Sequence, residues 1–267
     1  MTKSDAEAET RPMAGGKMPG VNDGRPARRP MSTSEYGLPG ASAADRVYHA
    51  LRDAIVEGRY GAGTMLGEAT LAAQFTVSRT PVRSALLRLQ SEGWIIIYPK
   101  RGALVQGISE RARADLADAR LVLESSAMGQ ASADVLDRLV VELERSIEQQ
   151  RDALAEGDVR RYIDLTIAFH RHFVEAGHND VLLELNDRLA DRQRSVLFAA
   201  GERLLAEREQ MLAEHQQLID LIRIGDIPGF TAALHDHIAH TYAASVPPVM
   251  FSRQVGEGAY RSLSVGR

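Results

Sequence analysis

The 267-residue chain contains no cysteine. This absence excludes disulfide bonds, cysteine-ligated zinc fingers, iron–sulfur clusters and a thiol nucleophile. The chain also lacks any run of about 18 or more apolar residues, so we predict no contact with a membrane. Its N-terminus has no apolar stretch of the kind that a secretory signal requires. We therefore expect a cytoplasmic protein.

An excess of basic residues is also absent, because the formal net charge is −4. Taken as an average, this charge argues against a nucleic-acid binder, but the charges are unevenly distributed. Residues 41–107 carry eight basic and five acidic residues, a net of +3, whereas residues 108–267 carry 18 basic and 26 acidic residues, a net of −8. The asymmetry predicts that only the smaller region meets a polyanion.

Composition also divides the chain. Residues 1–40 hold five of the ten prolines and six glycines but few large apolar residues, so we predict a disordered N-terminal tail. Residues 41–107 form the predicted N-terminal module, and residues 108–245 the predicted C-terminal bundle. Residues 246–267 are predicted to be a C-terminal tail.

The C-terminal bundle shows apolar residues at helical spacing, as at Leu136, Leu139, Val140, Leu143 and Ile147. Glycine, serine and asparagine interrupt this pattern at intervals that suit helix ends. No convincing strand occurs, so the fold class is mainly α. The pattern predicts about six helices, over 110–130, 133–156, 158–176, 180–200, 203–224 and 226–244.

The N-terminal module has the pattern of a winged helix-turn-helix. Two helices are predicted over 45–57 and 67–74, and a third begins at Ser78, a good N-cap residue. Two β-rich runs follow at 94–98 and 103–105, separated by a turn. The prediction is three helices and a two-stranded wing.

Basic residues lie where such a module meets DNA. Arg79 and Arg83 are one turn apart near the start of the third helix, whose N-terminal residues enter the major groove. Arginine can fork to guanine or to a phosphate, and nearby hydroxyls can add contacts. A wing tip reaches phosphates or the minor groove. The predicted DNA contacts are Ser78, Arg79, Thr80, Arg83, Lys100 and Arg101.

The run VSRTPVR over 77–83, with the segments around it from 43 to 107, resembles the signature of GntR-family winged helix-turn-helix transcription regulators. The sequence departs from that pattern at Thr76, where the family usually has glycine, at Ala62, where it usually has proline, and at Ser84, which replaces a frequent glutamate. A β-branched residue costs some stability if the turn at Thr76 needs a positive φ.

The bundle resembles the FCD effector-binding domain of the same family over residues 110–244. The resemblance rests on Arg120 and Glu124, Phe169-His170, Gly177 and Asn179, Glu214-His215, and His237. It implies a divalent metal held by an Asp and three His, with a carboxylate effector at or beside it. The implied histidines are His170, His215 and His237. Arg120 is implied to face the pocket, where it could bind a carboxylate or be held by Glu124.

The spacing of two of these histidines is consistent with one site. His215 lies 10 residues before the turn at 225–226 and His237 lies 11 residues after it, so both should lie at similar heights on adjacent helices. Imidazole suits Zn, Ni or a similar ion. Thr166 stands at the usual Asp position and is a poor ligand. Asp164 is about 120° around the helix from His170, so it is a poor substitute. Three alternatives stay open: weaker metal binding, an effector carboxylate as an added ligand, or a metal-free pocket lined by histidines.

Together these features predict a ligand-responsive, DNA-binding transcription regulator. We expect a homodimer, a repressor that leaves a pseudo-palindromic double-stranded operator when a small organic acid binds the bundle. A helical metalloenzyme is the alternative from another class, but no general base or nucleophile accompanies the histidines and no catalytic residue is predicted. A constitutive DNA binder without effector response is a third hypothesis.

Overall fold

The computed structural model of the chain describes residues 40–242, and these contain ten helices and three short strands. The predicted tails, up to residue 39 and from residue 246 onward, lie outside the described residues. Within residues 40–242, no helix combines the length and hydrophobicity that crossing a membrane requires. The mainly α fold class is confirmed.

The N-terminal module contains three helices and a small sheet, as its sequence predicts. Its elements are α1 (Ala43–Val56), β1 (Met65–Leu66), α2 (Glu68–Phe75), α3 (Arg79–Ser91), β2 (Ile95–Tyr98) and β3 (Gly102–Val105).

Helix α1 begins at a capping box. The Ser42 hydroxyl accepts a hydrogen bond from the Asp45 backbone N–H at 3.1 Å, and the Ser42 N–H donates to the Asp45 carboxylate at 3.3 Å. The buried face of α1, which includes Val47 and Leu51, packs against α3. This packing turns the opposite face of α3 toward solvent.

The wing has a third strand that the sequence did not predict. Strand β3 lies between β1 and β2, and both neighbours run antiparallel to it. Strand β1 has only two residues, too few to show the alternation that marks a strand in sequence. Gly102 allows the close pairing, because a Cβ there would lie 2.5 Å from the carbonyl oxygen of Leu66.

The C-terminal bundle contains seven helices rather than about six. They are α4 (Glu110–Met128), α5 (Ala133–Ala155), α6 (Val159–Glu175), α7 (Asp180–Ala199), α8 (Gly201–Ala206), α9 (Arg208–Arg223) and α10 (Ile227–Tyr242).

The predicted helix over 203–224 is wrong as one element, because the chain bends at Glu207 between α8 and α9. The segment consists largely of good helix formers, so nothing in it marks a break. Leu204 of α8 and Met211 of α9 lie in the same buried cluster on either side of the bend. Local propensity therefore gave no sign of the bend.

Helix α6 contacts α4, α5 and α7, and its buried face lines the main core of the bundle. Phe169 and Phe173 are fully buried there and meet edge to face, with ring centroids 5.1 Å apart. Phe169 also stacks on His215 of α9, with centroids 4.4 Å apart. The aromatic core thus holds α6 and α9 close together around a group of buried polar side chains.

Candidate functional sites

The exposed face of α3 carries the predicted DNA contacts of this helix. Ser78 takes the N-cap position, but its side chain makes no capping hydrogen bond. Ser78, Arg79, Thr80 and Arg83 are all exposed, while Val82 on the opposite face is fully buried. The amphipathic packing of α3 therefore leaves two hydroxyls and two guanidinium groups accessible at its N-terminal end.

The two arginines of this face differ in their partners. Arg83 forms a forked ion pair with Glu68 of α2, in which Nη2 lies 2.8 Å from Oε2 and Nε lies 3.2 Å from Oε1. The hydrogen bond from Arg83 lowers the pKa of the Glu68 carboxyl. Arg79 makes no ion pair with any residue between 40 and 242.

The wing tip exposes the other two predicted contacts, Lys100 and Arg101. The turn closes with a hydrogen bond from the Arg101 N–H to the Tyr98 carbonyl at 3.0 Å. Lys100 has a φ of 63°, a left-handed conformation that is uncommon for a non-glycine residue. The backbone of this turn directs two adjacent basic side chains away from the sheet.

The turn before α3 also uses a left-handed residue. Thr76 ends α2 with φ 54° and ψ 46°. A β-branched side chain is unfavourable in this region, where glycine is the usual residue. The positive φ that the sequence analysis considered at Thr76 is therefore present, and its cost in stability stays a prediction.

The three implied histidines meet inside the bundle. His170 on α6, His215 on α9 and His237 on α10 each offer a ring nitrogen, and these nitrogens lie within 4.8 Å of one another. Each side chain is at most 3% exposed. The placement of His215 and His237 at similar heights, expected from their distances to the turn, agrees with this geometry.

The second ring nitrogen of each histidine has an oxygen partner at 2.8 Å. The Nδ1 atom of His170 meets Glu124, that of His215 meets Gln150, and that of His237 meets Glu214. An oxygen acceptor at Nδ1 fixes the proton of a neutral imidazole on that atom. The lone pairs of the three rings are then on Nε2, inside the cluster.

These lone pairs fit a metal ion better than they fit one another. The Nε2 atoms of His170 and His237 are 3.2 Å apart, but in this tautomer neither carries a proton to donate. His215 Nε2 is buried and has no hydrogen-bond partner among residues 40–242. A tetrahedral ion with Zn–N bonds of about 2.0–2.1 Å separates neighbouring nitrogens by about 3.3 Å. The residues present therefore fit a divalent cation.

Charge and burial keep these rings neutral. Burial is the main cause that lowers the pKa of His170 and of His215 well below the ordinary histidine value, and the charge of Arg120 adds to this effect. Burial also lowers the pKa of His237, although its hydrogen bond with Glu214 acts in the opposite direction. Neutral imidazole is the form that binds metal ions.

The family's carboxylate ligand has no equivalent at the expected positions. Thr166 lies one turn before His170 and is buried, so the usual Asp position carries a neutral hydroxyl. Asp164 pairs with Arg194, at 2.8 Å, and its side chain is 47% exposed. This location agrees with the prediction that Asp164 does not replace the missing ligand.

Arg120 of α4 lies beside the histidines and is 2% exposed. Its Nε donates to Glu124 at 2.9 Å, and its Nη1 donates to the Tyr242 hydroxyl at 3.2 Å. Because Glu124 also contacts His170, the arginine joins the same polar network. Its third nitrogen, Nη2, is buried and has no partner in the described part of the chain, so one strong donor can bind an anionic group.

Sequence reasoning did not identify Gln150, Tyr242 or the role of Glu214 in this network. Gln150 is 65 positions from His215, and Tyr242 is 122 positions from Arg120. No local spacing connects residues so far apart. The packing of α5 against α9 and of α4 against α10 brings them together. Glu214 is adjacent to His215 in sequence but bonds His237 on the next helix.

The fold and the two sites are those of a class of protein: a DNA-binding transcription regulator with a helical C-terminal domain. Residues 43–105 match the family model of bacterial regulatory proteins of the gntR family, and residues 115–240 match that of the FCD domain. The chain belongs to the GntR family, in the group that carries an FCD domain.

Named relatives agree with this assignment. The gluconate operon transcriptional repressor of Bacillus licheniformis is 32% identical over 176 residues, which cover 66% of this chain and 72% of that protein. The structure of a transcriptional regulator GntR from Rhodococcus sp. RHA1 matches with a TM-score of 0.63 at 21% identity, over 76% of this chain and 99% of that chain. The E. coli McbR/YncC structure matches with a TM-score of 0.60 at 24% identity, over 76% and 96%. At these identities the structural matches support the fold alone.

The family and its named members are transcription regulators and not enzymes. The alternative of a helical metalloenzyme is therefore set aside, and the buried histidines belong to a regulator.

Proposed function

We propose that this regulator is a repressor that binds a pseudo-palindromic operator as a homodimer and releases it when a small carboxylate effector binds the bundle. Relatives named as repressors support the direction of regulation. A twofold dimer would place its two α3 helices in half-sites about 34–36 Å apart.

The exposed N-terminal face of α3 is the observation that carries the DNA-binding part of the proposal. Arg79 and Arg83 would read base edges or phosphates in the major groove, and Ser78 and Thr80 would add hydroxyl contacts. The helix N-terminus itself favours phosphate. Lys100 and Arg101 at the wing tip would bind the backbone or the minor groove.

Alanine at Arg79 and at Arg83 tests these contacts. Each loss of a forked base contact should weaken operator binding by about 5- to 150-fold, from the roughly 1–3 kcal/mol that such a contact contributes. Fluorescence anisotropy with labelled operator measures the effect. Arg151→Ala is the control, because the Arg151 side chain is exposed on helix α5 of the bundle and pairs with Glu148. Operator binding that survives both α3 substitutions would exclude this face as the recognition surface.

The same proposal assigns one divalent metal, such as Zn or Ni, to His170, His215 and His237. The unpartnered Nε2 of His215 and the facing Nε2 atoms of the other two rings support it. The oxygen partners of Nδ1 would hold each ring in its binding orientation. When bound, the metal supplies a Lewis-acidic centre that attracts carboxylate oxygen.

Arg120 would complete the effector site. Its unpartnered Nη2 can donate to a carboxylate, while Glu124 and Tyr242 hold the rest of the guanidinium in place. These groups are almost fully buried, so an effector reaches them only when neighbouring helices move. We infer that this movement is the signal.

Helix α6 and helix α7, which packs against it, connect the site to the N-terminal module. Helix α6 carries His170 and also Arg160, which forms an ion pair with Glu57 at the end of α1. Helix α7 carries Arg192, whose Nη2 donates to the Glu92 carbonyl at 3.1 Å. A shift of α6 or α7 on effector binding would therefore move α1 and the end of α3.

Metal analysis of the purified full chain tests the histidine site. We expect about one equivalent of metal per chain, removed by a chelator and lost in His215→Ala. His172→Ala is the matched control, because His172 lies on the same helix as His170 but pairs with Glu175 outside the cluster. If neither the purified nor the metal-titrated protein binds Zn or Ni, the metal-free pocket is correct. Arg120→Lys then tests the effector contact separately, since operator release by small carboxylic acids should fail in it.

A further inference from the structure

Glu68 is an acidic residue beside the proposed DNA-binding face, in a position where a negative charge repels DNA. Its side chain is 29% exposed and lies against Arg83. Of the five acidic residues between 41 and 107, the structure pairs this one with a predicted DNA contact. Because the Glu68 carboxylate repels DNA phosphates, its charge alone weakens DNA binding. Its position beside Arg83 therefore indicates a second effect.

The contact uses one particular edge of the guanidinium group. A guanidinium presents two forked edges: the side edge formed by Nε and one terminal nitrogen, and the end edge formed by the two terminal nitrogens. Glu68 binds the side edge, through Nε and Nη2 of Arg83. The end edge makes no hydrogen bond through Nη1 to any residue between 40 and 242, and the Arg83 side chain is 63% exposed.

Binding at the side edge restricts rotation about the end of a long, flexible side chain. The plane of the guanidinium group is then set by the carboxylate, and the end edge keeps a defined direction at the protein surface. Forked recognition of guanine O6 and N7 depends on that direction, whereas contact with a phosphate tolerates many orientations. An exposed ion pair contributes little to folding stability. The main effect of the Glu68–Arg83 pair is therefore to orient the guanidinium group.

We propose that Glu68 is a specificity-determining positioning residue, which holds the side edge of Arg83 so that its end edge reads a guanine in the operator. The inference rests on the proposed DNA contact of Arg83. Glu68 itself touches no base. It lowers the affinity for DNA in general and raises the discrimination at one base pair.

Arg79 supplies an internal comparison. It lies one turn before Arg83 on the same exposed face but makes no ion pair within the described part of the chain. The charge of Arg79 acts on Glu68 and helps to lower the pKa of that carboxyl, but no hydrogen bond with Glu68 orients Arg79 within residues 40–242. A change at Glu68 should therefore alter discrimination by Arg83 and leave discrimination by Arg79 almost unaltered.

The experiment uses the full chain and an operator selected from random DNA by the unmodified protein. Each base pair of the half-site is then changed in turn, and the affinity ratio between the selected and the changed base pair is measured. Arg79→Ala and Arg83→Ala identify the base pairs that depend on each arginine. The same series is repeated with Glu68→Gln, which removes the charge, and Glu68→Asp, which keeps the charge but shortens the side chain. Thermal unfolding of each variant confirms that it folds.

At the Arg83-dependent base pair, both Glu68 variants should lower discrimination by about three- to tenfold, part of the roughly 5- to 150-fold that a forked contact provides. At the Arg79-dependent base pair, the change should stay below about twofold. Only Glu68→Gln should raise the affinity for random DNA, because it alone removes a negative charge.

Unchanged or increased discrimination at the Arg83-dependent base pair would overturn the inference, since Glu68 would then be a neutral neighbour or a simple mask. An equal loss at both base pairs would also overturn it, because it indicates a general disturbance of the module. If Arg83→Ala reveals no dependent base pair, the proposed contact of Arg83 fails and the inference fails with it. If only the Glu68 result is negative, the contact of Arg83 stands.

Discussion

The N-terminal module and the C-terminal bundle position their functional side chains in different ways. In the module, backbone conformation places basic residues at the surface: left-handed residues precede α3 and form the wing tip. In the bundle, side chains place one another through hydrogen bonds, as the buried Glu124 and Gln150 and the half-buried Glu214 do for the three histidines.

In the module, side chains that serve function contribute little to stability. In the bundle, the same side chains serve both function and stability. An exposed side chain such as Arg79 can be removed with little effect on folding, because surface substitutions rarely change stability by more than about 0.5 kcal/mol. A buried charged side chain such as Arg120 contributes to both, since removing it leaves its partner buried and uncompensated. Three substitutions test this contrast.

The largest effect is expected for Arg120→Ala in α4. The change leaves the Glu124 carboxylate buried without its cation and should destabilise the protein by about 3–5 kcal/mol. Denaturant unfolding measures the loss. The control is Arg111→Ala, on the same helix, because Arg111 and Asp115 have the same spacing but their side chains are 88% and 61% exposed. The control should change stability by less than about 1 kcal/mol. Equal effects at the two pairs would show that burial does not distinguish them.

The second prediction concerns the backbone of the wing. Gly102→Ala should destabilise the protein by more than about 1 kcal/mol, because φ is 114° and the added Cβ would approach the Leu66 carbonyl oxygen to 2.5 Å. It should also weaken operator binding, since β3 follows directly from Arg101 at the wing tip.

Gly61→Ala provides the comparison for this change. An added Cβ at Gly61 meets no heavy atom within 4 Å, so stability and operator binding should both be nearly unchanged. If Gly102→Ala folds and binds as well as Gly61→Ala, the close pairing of β1 with β3 does not set the wing.

The sequence predicts the N-terminal module better than it predicts the hydrogen-bond network of the bundle. The recognition helix and wing depend on local signals, such as the N-cap Ser78 and the turn at 99–102, and these lie within a few residues of the elements that they define. The two-residue strand β1 was missed because it is too short for a pattern. The bend at Glu207 was missed because no glycine or proline marks it in the sequence.

In the bundle, the resemblance to a known family implied the three histidines but not the partners that orient them. Gln150 is an ordinary polar residue in a helix by any local criterion, and only the packing of α5 against α9 brings it to His215. The same holds for Tyr242 and Arg120. Long-range hydrogen bonds of this kind have no signature within one helix, so the network appeared only with the fold.

The smallest expected effect tests whether the module's backbone conformation carries a measurable cost. Thr76→Gly should stabilise the protein by about 0.5–1 kcal/mol. A left-handed β-branched residue costs roughly 1–2 kcal/mol, but glycine also raises the conformational entropy of the unfolded chain, which offsets part of the stabilisation. Operator affinity should stay the same, since Thr76 is not among the proposed contacts. Thr70→Gly, the same change within helix α2, should instead destabilise by a few tenths of a kcal/mol. Thermal unfolding of both variants measures the opposite signs, and a loss of stability in both would mean that the left-handed turn at Thr76 is not strained.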